Sequence, residues 1–204
     1  MKSGPRRLIN PSELAFDIDG VVADTMDVFV QLARDRYGFR DLSKEDLTNY
    51  DLDRCLNFGK EILDDLICLT LSEEHTRKIP PVPGAPEFLS ELARHTPLRF
   101  ITARIWPESI TEWLYSILPD VNRANIHVIA SGAPEAKLAI LEQLGIRFFV
   151  EDRVETCRQL KNAGIQPFLF EQPWNRNETA DGFVRIGNWV QLKEWVLLPD
   201  TNLR

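Results

Sequence analysis

Two aspartates one residue apart, behind an apolar run and ahead of a glycine, constrain this chain more than any other feature. Leu14-Ala15-Phe16 reads as a buried strand, Asp17-Ile18-Asp19 ends it, Gly20 breaks the extended path, and a helical pattern begins near Thr25. In an open α/β sheet, ligands gather at the carboxyl ends of the strands. Two carboxylates there suit a hard cation such as Mg²⁺, which prefers oxygen ligands. A carboxylate so placed can also attack phosphorus, giving an aspartyl-phosphate. The stretch alone also reads as a strand followed by an acidic turn, since Asp and Gly are ordinary turn residues. The remainder of the chain decides between the two.

Thr25 to Tyr37 carries Val28, Phe29, Leu32 and Ala33 at helical spacing, with Gly38 as a stop. From Asp41 to Lys78 there is no strand-like alternation. Ser43-Lys44-Glu45-Asp46 approaches a capping box, Phe58 to Leu71 repeats at helical spacing, and Ser72-Glu73-Glu74 opens a short helix. This reads as a helical module inserted into the chain. Ile79 to Pro86 holds four prolines in eight residues, a stiff return linker, with Pro86 in the first turn of a helix over 87–94.

Strand and helix then alternate. Strands are expected at 98–102, 126–130, 146–150 and 165–170, with a sixth short one at 183–186. Helices are expected at 107–118, 134–144, 154–163 and 189–197, and a polar loop runs to about Asp181. This order implies an α/β fold, a doubly wound parallel sheet with helices on both faces. A chain of 204 residues can hold one such domain with a sizeable insertion.

The strand ends carry the chemistry. The first offers Asp17 and Asp19, the second Ile101-Thr102-Ala103-Arg104, and the fourth Val150-Glu151-Asp152-Arg153. Lys137 sits early in the helix after the third strand. In a parallel sheet these ends share one edge, so two acidic pairs, a hydroxyl and an ammonium are expected to converge. Phosphoryl transfer needs such a set. A cation between carboxylates and phosphate screens the repulsion, and a lysine and a hydroxyl hold the remaining oxygens. Asp17 would attack in line, while Asp19 would protonate the leaving oxygen and later deprotonate the hydrolytic water.

In order and spacing these residues resemble the haloacid dehalogenase (HAD) superfamily of phosphohydrolases. The Asp-x-Asp-Gly-Val stretch at 17–21 is the specific signal, joined by Thr102, Lys137 and the Glu151-Asp152 pair. The resemblance implies a HAD-like Rossmannoid core over 1–27 and 80–204 with a small helical cap over 28–79. It implies Asp17 as nucleophile and Mg²⁺ ligand, and Asp19 as general acid/base with its carbonyl on the metal. Thr102, Ala103 and Lys137 would bind phosphate. Asp152 would ligate the metal with Glu151 assisting, and which of the two touches it stays open. Phe168 to Arg176, with its Pro173-Trp174-Asn175 loop, resembles a segment of the 5'(3')-deoxyribonucleotidase branch. That branch implies nucleoside or deoxynucleoside monophosphates as substrates. A sugar-phosphate phosphatase would use the same residues. A non-catalytic phosphometabolite-binding protein would not need both Asp17 and Asp19.

Tyr50, Phe29, Phe58 and Trp106 are candidates to stack on a base, although Phe29 and Phe58 lie on apolar helical faces better suited to packing. Arg153 reads as a salt-bridge partner of a neighbouring acid. The net charge of −7 argues against a nucleic-acid polymer as partner, though a bound cation can still recruit a small anion. Lys2, Arg6 and Arg7 lead into no apolar signal region, and no run approaches the ~20 apolar residues that cross a bilayer. The three scattered cysteines suit reduced thiols in a cytoplasmic protein. The expected partner is a small phosphorylated metabolite, without a membrane, and a homodimer is compatible with the chain.

Overall fold

The alternation along each apolar run decides which face of the sheet every side chain takes. In the computed structural model, which describes residues 8–179 and 182–198, six strands form one parallel sheet. They are β1 (Leu14–Phe16), β2 (Leu98–Thr102), β3 (Ile126–Ala130), β4 (Phe148–Glu151), β5 (Gln166–Phe170) and β6 (Val184–Ile186), in the order β3-β2-β1-β4-β5-β6. Phe16 pairs with Phe100 on one side and Val150 on the other. Leu14, Phe16, Phe100, Val150 and Phe168 point to one face, Ala15, Ile101 and Phe149 to the other.

The first face is covered by α4 (Ala85–Leu92), α5 (Glu108–Ile117) and α8 (Trp189–Lys193), the second by α6 (Lys137–Gln143) and α7 (Val154–Asn162). Trp189 is the keystone of the first face. Its ring lies 5.5 Å from Phe16, 5.4 Å from Phe88 and 6.0 Å from Phe170. Aromatic contacts of this kind add about 0.5–1.5 kcal/mol beyond the area buried.

Several boundaries differ from the sequence reading, each for a local reason. The helix expected over 189–197 ends at Lys193, because the chain straightens to pair Val196 with Ile9. The Ile9 N–H donates to Trp195 O at 2.7 Å and the Leu197 N–H to Ile9 O at 2.9 Å. The Ser43–Asp46 box is present, with Asp46 Oδ2 accepting from Ser43 N and Oγ, but it closes only a 3₁₀ turn. Phe58 lies outside the second helix and stacks on Phe39 at 3.8 Å. Lys2, Arg6, Arg7 and Asp181 lie outside the described residues.

Between β1 and α4 run α1 (Thr25–Tyr37), α2 (Lys60–Thr70) and α3 (Glu73–Thr76), with a core of their own. Phe29, Val30, Ala33, Leu42, Leu47, Leu52, Leu63 and Leu66 form it, joined from outside by Trp174. α1 stops at Gly38, whose φ of 75° turns the chain and lets its N–H close on Ala33 O and Arg34 O. The chain leaves and re-enters the sheet side by side. The Asp24 N–H donates to Pro80 O at 2.9 Å and the Val82 N–H to Val22 O at 2.8 Å. Among the described residues no helix is long and apolar enough to cross a membrane.

Candidate active site

The strand order reverses about β1, which leads to β2 on one side and meets β4 on the other. The carboxyl ends of these three strands meet at that switch point, where open α/β sheets hold ligands. The Asp17 N–H donates to Val150 O at 2.9 Å, so the strand pairing itself seats Asp17 beside Glu151 and Asp152. One oxygen from each of Asp17, Glu151 and Asp152 lies within 4.8 Å of the others, and all three residues are buried. Gly20 has φ of 76°, and a Cβ there would sit 2.2 Å from Asp152 Oδ2. The residue read as a strand breaker is thus also the space into which the second acidic pair folds.

Lys137 is 2% exposed and its Nζ lies 2.7 Å from Asp17 Oδ2 and 2.9 Å from Glu151 Oε2. Burial opposes the ammonium, but the two carboxylates outweigh burial and hold its pKa above the ordinary lysine value. Glu151 also accepts the Asp152 and Arg153 N–H groups at 3.1 and 3.0 Å. Burial works against its charge, yet Lys137 and these donors leave its pKa below the usual carboxylate value. Asp17 moves the other way. Burial lifts its carboxyl well above the usual range, with Lys137 counteracting and Glu151 and Asp19 adding to the rise. Asp152 is lifted too, first by burial and then by Glu151 and Asp17. Three carboxylates against one ammonium leave two negative charges uncompensated in a buried pocket. That is the charge a divalent cation would neutralise, and an all-oxygen set is what Mg²⁺ takes.

Asp19 has a separate partner. Arg104 Nε and Nη2 reach its two oxygens at 2.9 and 2.8 Å, and Thr25 Oγ1 donates to Asp19 Oδ1 at 2.5 Å. Burial raises the Asp19 carboxyl, but Arg104 outweighs it and the net pKa is lowered. Thr102 is fully buried below this pair, its hydroxyl accepting the Arg104 N–H at 3.2 Å. Asp17, Asp19, Ala103, Lys137, Glu151 and Asp152 line one cavity of about 450 Å³, whereas Thr102, expected to bind phosphate, is fully buried and is not among its lining residues.

The loop after β5 supplies residues that the sequence reading ties to a family resemblance and not to the acidic pairs. Trp174 Nε1 donates to Asp152 Oδ2 at 3.0 Å, and Asn175 Nδ2 donates to the Asp152 carbonyl at 2.8 Å. Gln172 Nε2 donates to Gly20 O at 2.6 Å. One short loop therefore braces Asp152 and the Gly20 turn that follows the first acidic pair. Its Pro-Trp-Asn signature was visible in the sequence, but its contacts were not. Arg104 was equally visible and equally unassigned.

The helical segment forms the far wall of the cavity with Met26, Tyr50, Leu63, Ile67 and Leu71. The Arg153 guanidinium lies 5.0 Å from the Tyr50 ring and pairs with Glu135 at 2.9 Å. Phe29 is fully buried and Phe58 packs on Phe39, so neither faces the cavity. Trp106 is 75% exposed beside the mouth.

Residues 10–200 match the profile of the family described as 5' nucleotidase, deoxy (pyrimidine), cytosolic type C. A Bacillus subtilis protein, YqfW, that bears a provisional nucleotidase name is 27% identical over 186 residues, spanning 90% of this chain and 92% of its own. A nucleotidase of Clostridium acetobutylicum is 22% identical over 183 residues, covering 88% of this chain and 90% of that one. Among solved structures, a HAD-superfamily hydrolase of Geobacter sulfurreducens superposes with a TM-score of 0.58 at 17% identity, over 95% of this chain and 99% of that one. The HAD hydrolase YfnB of Bacillus subtilis, solved with magnesium bound, superposes with a TM-score of 0.57 at 14% identity, over 92% of this chain and 98% of that one. At such identities the structural likeness speaks for the fold alone.

Proposed function

This chain belongs to the family of cytosolic type C 5'-deoxynucleotidases and is a HAD-type phosphohydrolase, and from that premise we propose a Mg²⁺-dependent nucleoside monophosphatase working through Asp17. The observation that carries this reading is the buried triad of Asp17, Glu151 and Asp152 around Lys137 at the sheet's switch point. Its uncompensated charge fits a divalent cation and its lysine fits a phosphate oxygen. Asp17, Asp152 and the Asp19 carbonyl would hold Mg²⁺, which supplies charge neutralisation to the phosphoryl group. Glu151 is the less available of the acidic pair, because three donors already occupy it. We assign it to orienting Lys137.

Asp17 attacks phosphorus as the ester bond to the leaving oxygen breaks, and Lys137 with the Ala103 loop steadies the phosphoryl oxygens. Asp19 gives a proton to the leaving oxygen, then takes one from the water that frees phosphate from Asp17. Arg104 favours the ionised form of Asp19 in the free protein, so Asp19 takes this proton from solvent before the ester is cleaved. Residues 28–79 act as the cap. Tyr50, Leu63, Ile67 and Leu71 meet the nucleoside and keep water from the reacting atoms.

The test is phosphate release from a panel of nucleoside monophosphates and sugar phosphates, with Mg²⁺, with EDTA and with Asp17→Asn. Release that needs the metal and vanishes in the variant is expected, with a nucleoside monophosphate as the best substrate. A folded wild-type protein that binds Mg²⁺ yet releases phosphate from no panel member would refute the reading.

A further inference from the structure

Arg104 takes no part in the bond-making just described, yet all three of its guanidinium nitrogens are committed. Nε and Nη2 fork onto Asp19, and Nη1 donates to Thr76 Oγ1 at 2.8 Å. Arg104 is buried and Thr76, the last residue of α3, is fully buried. One side chain thus joins the ends of β1 and β2 to the last turn of the helical segment. It lines the cavity, yet three of its five N–H groups are spent on Asp19 and Thr76.

A planar guanidinium fixes both oxygens of a carboxylate, whereas a lysine ammonium meets it as a point charge. Thr25 anchors only one Asp19 oxygen. We propose that Arg104 is the positioning residue for Asp19. It sets the carboxylate where the leaving oxygen arrives and, through Thr76, ties that position to the seating of the helical segment. The proposal rests on the phosphatase reading above. In the step concerned, an Asp17 oxygen bonds to phosphorus, the ester P–O bond breaks, and a proton passes from Asp19 to the leaving oxygen.

The experiment compares kcat/KM for wild type, Arg104→Lys and Thr76→Val with Mg²⁺ on two esters. One is the best alkyl phosphate of the panel, the other p-nitrophenyl phosphate. p-Nitrophenolate departs without a proton, and kcat/KM is blind to the later hydrolysis of the Asp17 aspartyl-phosphate. Arg104→Lys is expected to lose about a hundredfold on the alkyl ester, the scale of general acid catalysis, and roughly threefold or less on the nitrophenyl ester. Thr76→Val is expected to show the same asymmetry at about fivefold, as loss of the buried hydrogen bond to Arg104 allows. Equal loss on both esters, or none on either, overturns the proposal. If circular dichroism shows that Arg104→Lys does not fold, Thr76→Val decides on the same criterion. A wild type inactive on every ester refutes the phosphatase reading and the proposal together. An active wild type with uniform losses in the variants refutes the proposal alone.

Discussion

The cavity has two walls built on opposite plans. On the sheet side every charged group is held. Lys137 bridges two carboxylates, Glu151 takes three donors, and Asp19 sits in an arginine fork. On the helical side Asn49, Asp51 and Asp53 interrupt a largely apolar wall, which is loosely covered, with Tyr50, Ile67 and Leu71 all exposed. Bond-breaking tolerates little misplacement of the reacting groups, so it is served by groups that cannot move. Choosing among substrate bodies by apolar contact is worth only about 1–3 kcal/mol per methylene and survives softer walls. On the proposed function, the chemistry is fixed where hydrogen bonds cross between strands, and selectivity lies where side chains can be exchanged cheaply.

Lys137→Met tests the sheet wall hardest. It leaves Asp17 and Glu151 buried without their cation, and a broken buried pair costs about 3–5 kcal/mol. That loss should appear in urea unfolding at pH 8 and shrink near pH 5, where a stranded carboxyl takes a proton instead. The wild type should show a milder form of this dependence. Asp17 and Asp152 bind protons more tightly folded than unfolded, so metal-free stability should fall as pH rises from the unfolded carboxylate range through their raised folded values. Asp19 and Glu151 have the opposite sign, and their contribution is lost only at lower pH, as it falls through their depressed folded values. Saturating Mg²⁺ should flatten the upper slope. A metal-free protein more stable at pH 8 than at pH 5 would count against the uncompensated charge.

Leu47→Ala opens a cavity in the helical core and should cost about 2–5 kcal/mol, while Mg²⁺ affinity by calorimetry stays put in the folded protein. Trp174→Phe breaks the comparison deliberately, because Trp174 packs in the helical core and donates to Asp152. Phe keeps most of the packing and loses the donor. About a tenfold weaker Mg²⁺ affinity is expected, measured by calorimetry, with little change in melting temperature. Unchanged affinity would return Trp174 to packing alone. Ile67→Ala should be the mildest change, within about 0.5 kcal/mol of wild-type stability. It should move KM between nucleotides and leave kcat alone, and a large drop in kcat would erase the difference between the walls.

The sequence exposed what lies along one strand and hid what lies between strands. Asp17, Asp19, Lys137 and the Glu151-Asp152 pair could be read because each ends or follows an apolar run, and a parallel sheet brings such ends together. Arg104 was passed over because a cation after Thr102 is unremarkable until its partner, 85 residues earlier, is beside it. Trp174 gains its role only because β5 lies next to β4, which places its indole by Asp152. Gly20 was read for its backbone freedom, while its missing Cβ makes room for a carboxylate more than a hundred residues away. The end of α8 departs from the sequence reading for the same kind of reason, since Ile9 draws Val196 out of the helix.

The paired crossing at Asp24 and Pro80 bears on how the chain can be engineered. Ala23 and Pro81 face each other across an antiparallel bridge, so the sheet domain meets the helical segment as it would meet a hairpin. Loop-closure entropy grows only with the logarithm of loop length, about 0.6 kcal/mol per doubling. Exchanging that segment for a much shorter or longer one therefore costs the sheet little, provided the two ends still meet. The crossing is a graft point. The helical wall of the cavity can be exchanged there without asking the strands to refold.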